Sequence, residues 1–291
     1  MKIAVTLALF LCSIAVHASP SASPLDSEFS ASDDSKSNFP EPEVDENGIP
    51  IGMALVDGDI LIPKEQLPIY EKEGFDGLVN SEAWLNGPAW PSKTVYYATT
   101  IPSNTPQLAD LNRKIFDSMN DLNQKQNCLK FVYITAPIPQ RHIVFNLGQG
   151  CYTMIGPVTP GNRHDIFLSP GCTFERIPAH EVMHALGRFH EQTRPDRDYY
   201  VQINWHLIKQ DSVGLKELIS ISQYMRQDGA STLGLPYDYY SVMHYSPTSC
   251  SINGAPVMQF PPHVNPYNIG RGLSLTNTDI AHIVRRYCPS G

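Results

Sequence analysis

His180-Glu181-Val182-Met183-His184-Ala185-Leu186-Gly187-Arg188-Phe189-His190-Glu191 is the stretch that decides how this 291-residue chain is read. Two histidines four apart on a helix project from one face, one turn apart, so both imidazoles reach a single ion. Glu181 stands beside the first of them, too constrained to be a further ligand but close enough to contact a water on that ion. Gly187 can take the left-handed conformation that ends a helix. The chain then turns back, which brings His190 to the same ion. Three neutral nitrogens leave one position open, the mark of a catalytic rather than a structural metal site. The bland alternative, helix-surface histidines without metal, has weight for a bare His-Glu-x-x-His and little for this longer pattern.

Working outward, Pro178 lies two residues before the first histidine, which a helix starting near Arg176 or Ile177 accommodates. Upstream, residues 94–99, 129–135, 142–146 and 165–168 are strand-like. Thr105-Pro106 supplies a cap and a first-turn proline. Leu108, Leu111, Ile115, Met119 and Leu122 then follow at three- and four-residue spacing, the stripe of a packing helix. Downstream, turns and prolines dominate from Arg194, with a helical stretch expected over 204–221 and a last short helix over 277–287. No repeat is present, and the end of the chain three residues after Cys288 gives no expectation of an appended domain.

The amino-terminal part reads differently. Met1-Lys2, an apolar run from Ile3 to Val16 and Val16-His17-Ala18 form a signal peptide, with cleavage expected after Ala18. No segment is long and apolar enough to anchor the chain in a bilayer. Residues 19–50 are rich in Ser, Pro, Asp and Glu, a composition that cannot bury enough surface to hold a fold. Residues 1–80 carry 4 Lys+Arg against 14 Asp+Glu, whereas residues 81–291 carry 17 against 15. The net charge of −8 therefore belongs to the amino-terminal segment. Without a basic stripe or a basic amphipathic helix, nucleic acid and membrane surfaces are not expected partners. Six cysteines fit an oxidising compartment. With Cys12 leaving in the signal peptide, five remain, and Cys250 is expected as an unpaired thiol in a monomer.

The pattern from His180 to Glu191 is that of the metzincins, and the glutamate after the third histidine resembles the astacin family of zinc metalloendopeptidases. Arg194-Pro195-Asp196-Arg197-Asp198 and Tyr237-Asp238-Tyr239-Tyr240-Ser241-Val242-Met243-His244-Tyr245 are also similar to that family, the latter to its Met-turn. The resemblance covers about residues 81–288. It implies one Zn²⁺ per subunit held by His180, His184 and His190, with Glu181 as general base and then acid. It further implies Met243 as the floor beneath the metal and Tyr245 as an additional zinc ligand that swings away to stabilise the transition state. Glu191 would hold, through water, the amino terminus freed by processing. Cys128 with Cys288, and Cys151 with Cys172, match the family's two disulfides in order and spacing.

Val56-Asp57-Gly58-Asp59 resembles the family's Phe-x-Gly-Asp latency motif, with valine for phenylalanine. Asp59 would then occupy the metal position that water needs. Aligning Trp90 with the family's early tryptophan puts the mature terminus near Asn80 or Ser81. The residues just before it, Asp76-Gly77-Leu78-Val79, lack the arginine of many relatives. His142, His164, His206, His263 and His282 lack ligand spacing, His244 is expected to support the turn, and Tyr237, Tyr239 and Tyr240 could line a cleft.

These readings combine into an α+β zincin domain of two subdomains split by an active-site cleft. A twisted sheet with two helices forms the first half, and the second half is irregular. Residues 1–18 form the signal peptide, 19–80 a propeptide with an aspartate switch, and 81–291 the catalytic domain. The expected function is a secreted zymogen of a metalloendopeptidase acting on extracellular proteins or peptides, which would lie extended along the sheet edge. The alternative is a catalytically silent secreted zinc-binding scaffold.

Overall fold

The computed structural model describes residues 38–78, 89–157, 161–172, 174–209, 221–272 and 274–288. The signal peptide, the proposed mature terminus near Asn80 or Ser81 and most of the 204–221 stretch lie outside these residues. At the start of that stretch, Trp205–Leu207 form a single 3₁₀ turn.

Seven strands build the main sheet. In chain order they are β1 (Met53–Val56), β2 (Ile60–Pro63), β3 (Thr94–Thr99), β4 (Lys130–Tyr133), β5 (His142–Leu147), β6 (Tyr152–Met154) and β7 (Arg163–Leu168). Their spatial order is β1-β2-β6-β7-β5-β3-β4. β4, β3, β5 and β7 run parallel, β6 is antiparallel to β7, and β2 joins β6 in parallel register with Ile60 opposite Thr153. The expected strands all form. β6 has no counterpart among them, because three residues beside a cysteine are too few to display an alternating pattern. The apolar stretch around Val56 becomes a hairpin that extends the sheet rather than an isolated turn.

Helix α2 (Pro106–Lys125) starts on Thr105, whose side chain accepts from the Leu108 amide at 3.3 Å. Its stripe of Leu111, Ile115, Met119 and Leu122 is buried against the sheet. Full burial of such side chains contributes about 1.5–3 kcal/mol each. Helix α3 (Ile177–Ala185) lies on the same face and shares that core. The other half of the molecule is irregular: a two-stranded ribbon of β8 (Gln202–Ile203) and β9 (Met258–Gln259), 3₁₀ turns and the last helix, α4 (Asn277–Tyr287). Thr276 and Asp279 form a capping box at the start of α4. The molecule is thus α+β, with a sheet-and-helix half and an irregular half, as expected.

Disulfides Cys128–Cys288 and Cys151–Cys172 form as the resemblance implied. The first ties the start of β4 to the end of α4 across 160 residues. The expectation of an unpaired thiol at Cys250 is corrected: Cys250 is disulfide-bonded, and no described cysteine is free.

The amino-terminal segment continues past β2 into helix α1 (Leu67–Leu78), which is interrupted at Gly74, where φ is 62°. Tyr70, Phe75 and Leu78 from this segment join Val56, Ile60, Leu61 and Ile62 in a second core with Tyr152, Met154, Ile155 and Phe167. Among the described residues, no helix is long and apolar enough to cross a membrane.

Candidate metal centre

Helix α3 carries the first two histidines. Pro178 sits in its first turn, where no backbone donor is lost, so the helix is unkinked at that point. All nine of its residues are buried. Gly187 ends it with φ at 92°, and a Cβ there would stand 2.9 Å from the Arg286 guanidinium. The left-handed backbone angle is what requires glycine here. The chain reverses, and the Glu191 amide donates to Met243 O at 2.9 Å, which fixes His190 over the Met-turn.

The three histidines converge with a fourth group, Asp59, and all four are buried. Their ligand atoms lie within 4.8 Å of one another. Asp59 Oδ2 is 3.2 Å from His180 Nε2 and 3.0 Å from His190 Nε2, and Oδ1 is 3.7 Å from His184 Nε2. Four tetrahedral ligands bound about 2.0–2.1 Å from an ion stand about 3.3 Å apart. The arrangement suits Zn²⁺ in donor type and in spacing.

Hydrogen bonding behind the rings supports the same assignment. His180 Nδ1 donates to Val242 O at 2.8 Å, and His184 Nδ1 donates to Arg188 O at 2.7 Å. In the neutral rings these bonds turn an unprotonated Nε2 toward Asp59. Burial pushes the His180 imidazole down to about 4 and also lowers His190, against the pull of Asp59. Burial by itself would raise the Asp59 carboxyl, but the neighbouring histidines hold it well below the usual range. Neutral rings and an ionised carboxylate are the protonation states that metal ligation requires. Lone pairs from four groups facing one point repel unless a cation lies between them. His184 Nε2 and Asp59 Oδ1 are buried without any hydrogen-bond partner, which is the deficit a metal ion would fill.

Glu181 is buried beside the cluster, and its Oε2 has no partner. Burial first, and the nearby Asp59 second, push its carboxyl well above the ordinary value. Met243 is fully buried, and its carbonyl accepts from the Glu191 amide beside the third histidine. The Tyr245 ring lies 4.5 Å from that of His190, and its hydroxyl donates to Asp57 O at 2.6 Å. Tyr245 is thus engaged by the amino-terminal segment, while Asp59 takes the fourth place. His244 stays outside the cluster and pairs with the Tyr237 hydroxyl at 2.8 Å, in keeping with a turn-supporting role. Tyr237 is buried in a stack with Tyr200, and Tyr240 is partly exposed.

The turn that delivers Asp59 has left-handed φ at Asp57 (48°) and Gly58 (80°). A Cβ on Gly58 would lie 3.0 Å from the Tyr245 hydroxyl. Asp57 is itself buried, and burial raises its carboxyl to about 7 although the Tyr70 hydroxyl donates to it. Sequence reading misses Asp57, and also Arg188, a buried guanidinium between the second and third ligands. A charged residue inside an otherwise apolar run is the available signal for Arg188.

Known proteins resemble this chain in the same region. The chain is 37% identical over 169 residues to zinc metalloproteinase nas-13 of Caenorhabditis elegans, covering 57% of this chain and 35% of that protein. It is 30% identical over 204 residues to zinc metalloproteinase nas-4 of the same organism, covering 69% and 59%. The chain therefore spans between about a third and three fifths of these relatives. Among solved structures, high choriolytic enzyme 1, a hatching enzyme zinc-protease from the medaka fish Oryzias latipes, superposes with a TM-score of 0.56. Identity with it is 28%, covering 71% of this chain and 95% of that one. The family model of the astacin peptidases matches residues 85–288, more than two thirds of the chain and the whole of the histidine cluster except Asp59; the chain belongs to the astacin family.

Proposed function

We propose that this chain is a secreted zinc metalloendopeptidase made as a zymogen, hydrolysing internal peptide bonds of extracellular proteins or peptides. The observation that carries the proposal is the cluster itself. Three buried histidines and the unpartnered carboxyl of Glu181 surround a position that a carboxylate from the amino-terminal segment now fills. Zinc at this position would polarise a peptide carbonyl and lower the pKa of a water toward about 7. Glu181 would take a proton from that water as it attacks and would pass it to the leaving amine. The Tyr245 hydroxyl, once released from Asp57 O, is free to donate to the oxyanion that develops.

Latency follows from the same geometry. Asp59 fills the ligand position, and β2 lies along β6, the edge where an extended substrate would pair. In this reading residues 1–18 are a signal peptide, 19–80 a propeptide and 81–291 the catalytic domain. The disulfides support an oxidising, extracellular setting.

The test is casein hydrolysis by processed protein, wild type beside Glu181→Ala, with zinc measured on both. Hydrolysis by wild type alone, with about one zinc in each, is the expected result. Zinc in both and hydrolysis in neither would replace this reading with that of a silent zinc-binding scaffold.

A further inference from the structure

We propose that Arg188 is a positioning residue of the metal centre, a buried cation that ties together the backbone supports of His180 and His184 and the chain that follows His190. The proposal rests on the metallopeptidase reading for its purpose, but not for its geometry.

Arg188 is 5% exposed and lies between the second and third ligands. Its carbonyl accepts the hydrogen bond from His184 Nδ1 at 2.7 Å. Its guanidinium donates to three groups: Asp279 Oδ1, Glu191 Oε2 at 2.9 Å and Ser241 Oγ at 3.1 Å. Each of these leads back to the site. Asp279 Oδ2 accepts from the Val242 amide at 3.2 Å, and the Val242 carbonyl accepts from His180 Nδ1 at 2.8 Å. Ser241 Oγ donates to Asp279 at 2.6 Å and accepts from the Met243 amide at 3.0 Å. Glu191 follows His190 directly, and its amide is bonded to Met243 O. One guanidinium thus stands within a few bonds of the carbonyls behind the His180 and His184 rings and of the backbone that follows His190.

The carboxylates around it are already matched. Glu191 Oε1 accepts from Arg194 Nη1 at 3.1 Å and from the Asp238 amide at 2.8 Å, while Oε2 is taken by Arg188. The adjoining cavity, about 50 Å³, is lined by Arg188, Arg194, Arg286 and His282 beside Glu191. Glu191 thus draws counter-charge from both Arg188 and Arg194. Asp279 belongs to the capping box of α4, so the network also connects the metal centre to the last helix.

The test measures zinc transfer from the zinc-loaded full chain to a chromophoric chelator. Arg188→Lys keeps the charge but cannot hold three acceptors in a planar fork. Loss of such a ligand-orienting support typically weakens metal binding about 10–100-fold, and release from Arg188→Lys is expected to speed up on that scale. Arg188→Met alone leaves two buried carboxylates unmatched and can unfold the chain. The triple change Arg188→Met, Glu191→Gln, Asp279→Asn removes the three charges together and is expected to fold and to release zinc faster as well. Wild-type release rates in both folded variants would overturn the proposal. Fast release from Arg188→Lys in a chain that hydrolyses no casein would remove the peptidase reading and leave the positioning role standing.

Discussion

The metal centre has two sides, and they are built on opposite principles. On one side the histidines sit on a fully buried helix and a reversed loop, with backbone carbonyls behind two of the rings and the large central core beneath. On the other side Asp59 arrives on a short turn with left-handed backbone at Asp57 and Gly58, an Asp57 oxygen without a partner and a glycine pressed against Tyr245. In the zymogen reading proposed above, the strained turn belongs to the segment that leaves and the close packing to the side that stays.

The sharpest way to break this comparison is to remove one ligand from each side. His184→Ala is expected to empty the site and abolish casein hydrolysis in processed protein. Asp59→Ala is expected to keep the zinc and to give the uncleaved chain activity it otherwise lacks. Zinc analysis and casein assays on both would show opposite signs; continued latency of Asp59→Ala would put the block elsewhere in the segment. Next in size is the disulfide that encloses the persistent side. Cys128→Ser with Cys288→Ser should cost about 2–5 kcal/mol of unfolding free energy in denaturant titrations.

A pH effect of a few kcal/mol should come from His164, buried in β7 with its Nε2 3.0 Å from Thr153 Oγ1. Burial, helped by the charge of Arg141, pushes its imidazole from 6.5 down to about 3. The unfolded chain takes up a proton below its ordinary value that the folded chain refuses. Stability is therefore complete above that value and is lost as pH falls from 6.5 to about 3. Denaturation midpoints of His164→Gln across that range should show a shallower slope. The smallest effect belongs to the departing side: Gly58→Ala should weaken the turn by about 1–2 kcal/mol through its left-handed backbone. Low residual hydrolysis by the uncleaved variant would be the readout.

Legibility in the sequence follows the same division. Helix α2 is visible because Thr105, Pro106 and the stripe from Leu111 to Leu122 all encode local structure. Helix α3 and its stop are visible because Pro178 and Gly187 have backbone meanings that no partner alters. The final helix is readable to its last residue through its cap and spacing. What escapes depends on distant partners. β6 exists because β2 and β7 flank it, and the Asp57 environment exists because Tyr70 and Ser222 converge on it. The Arg188 network joins residues up to 91 apart in sequence, beyond any local pattern.

The pairing of β2 with β6 has a consequence for the chain's fate in solution. While it lasts, the amides and carbonyls of Thr153 and Met154 are satisfied within one molecule. Were the segment to depart, as proposed, those groups would form a bare sheet margin that an extended chain could join. The shortness of β6 limits how much stray chain can adhere. In the zymogen reading proposed above, carrying the segment until the point of use would protect the molecule from its own kind as well as its surroundings from digestion.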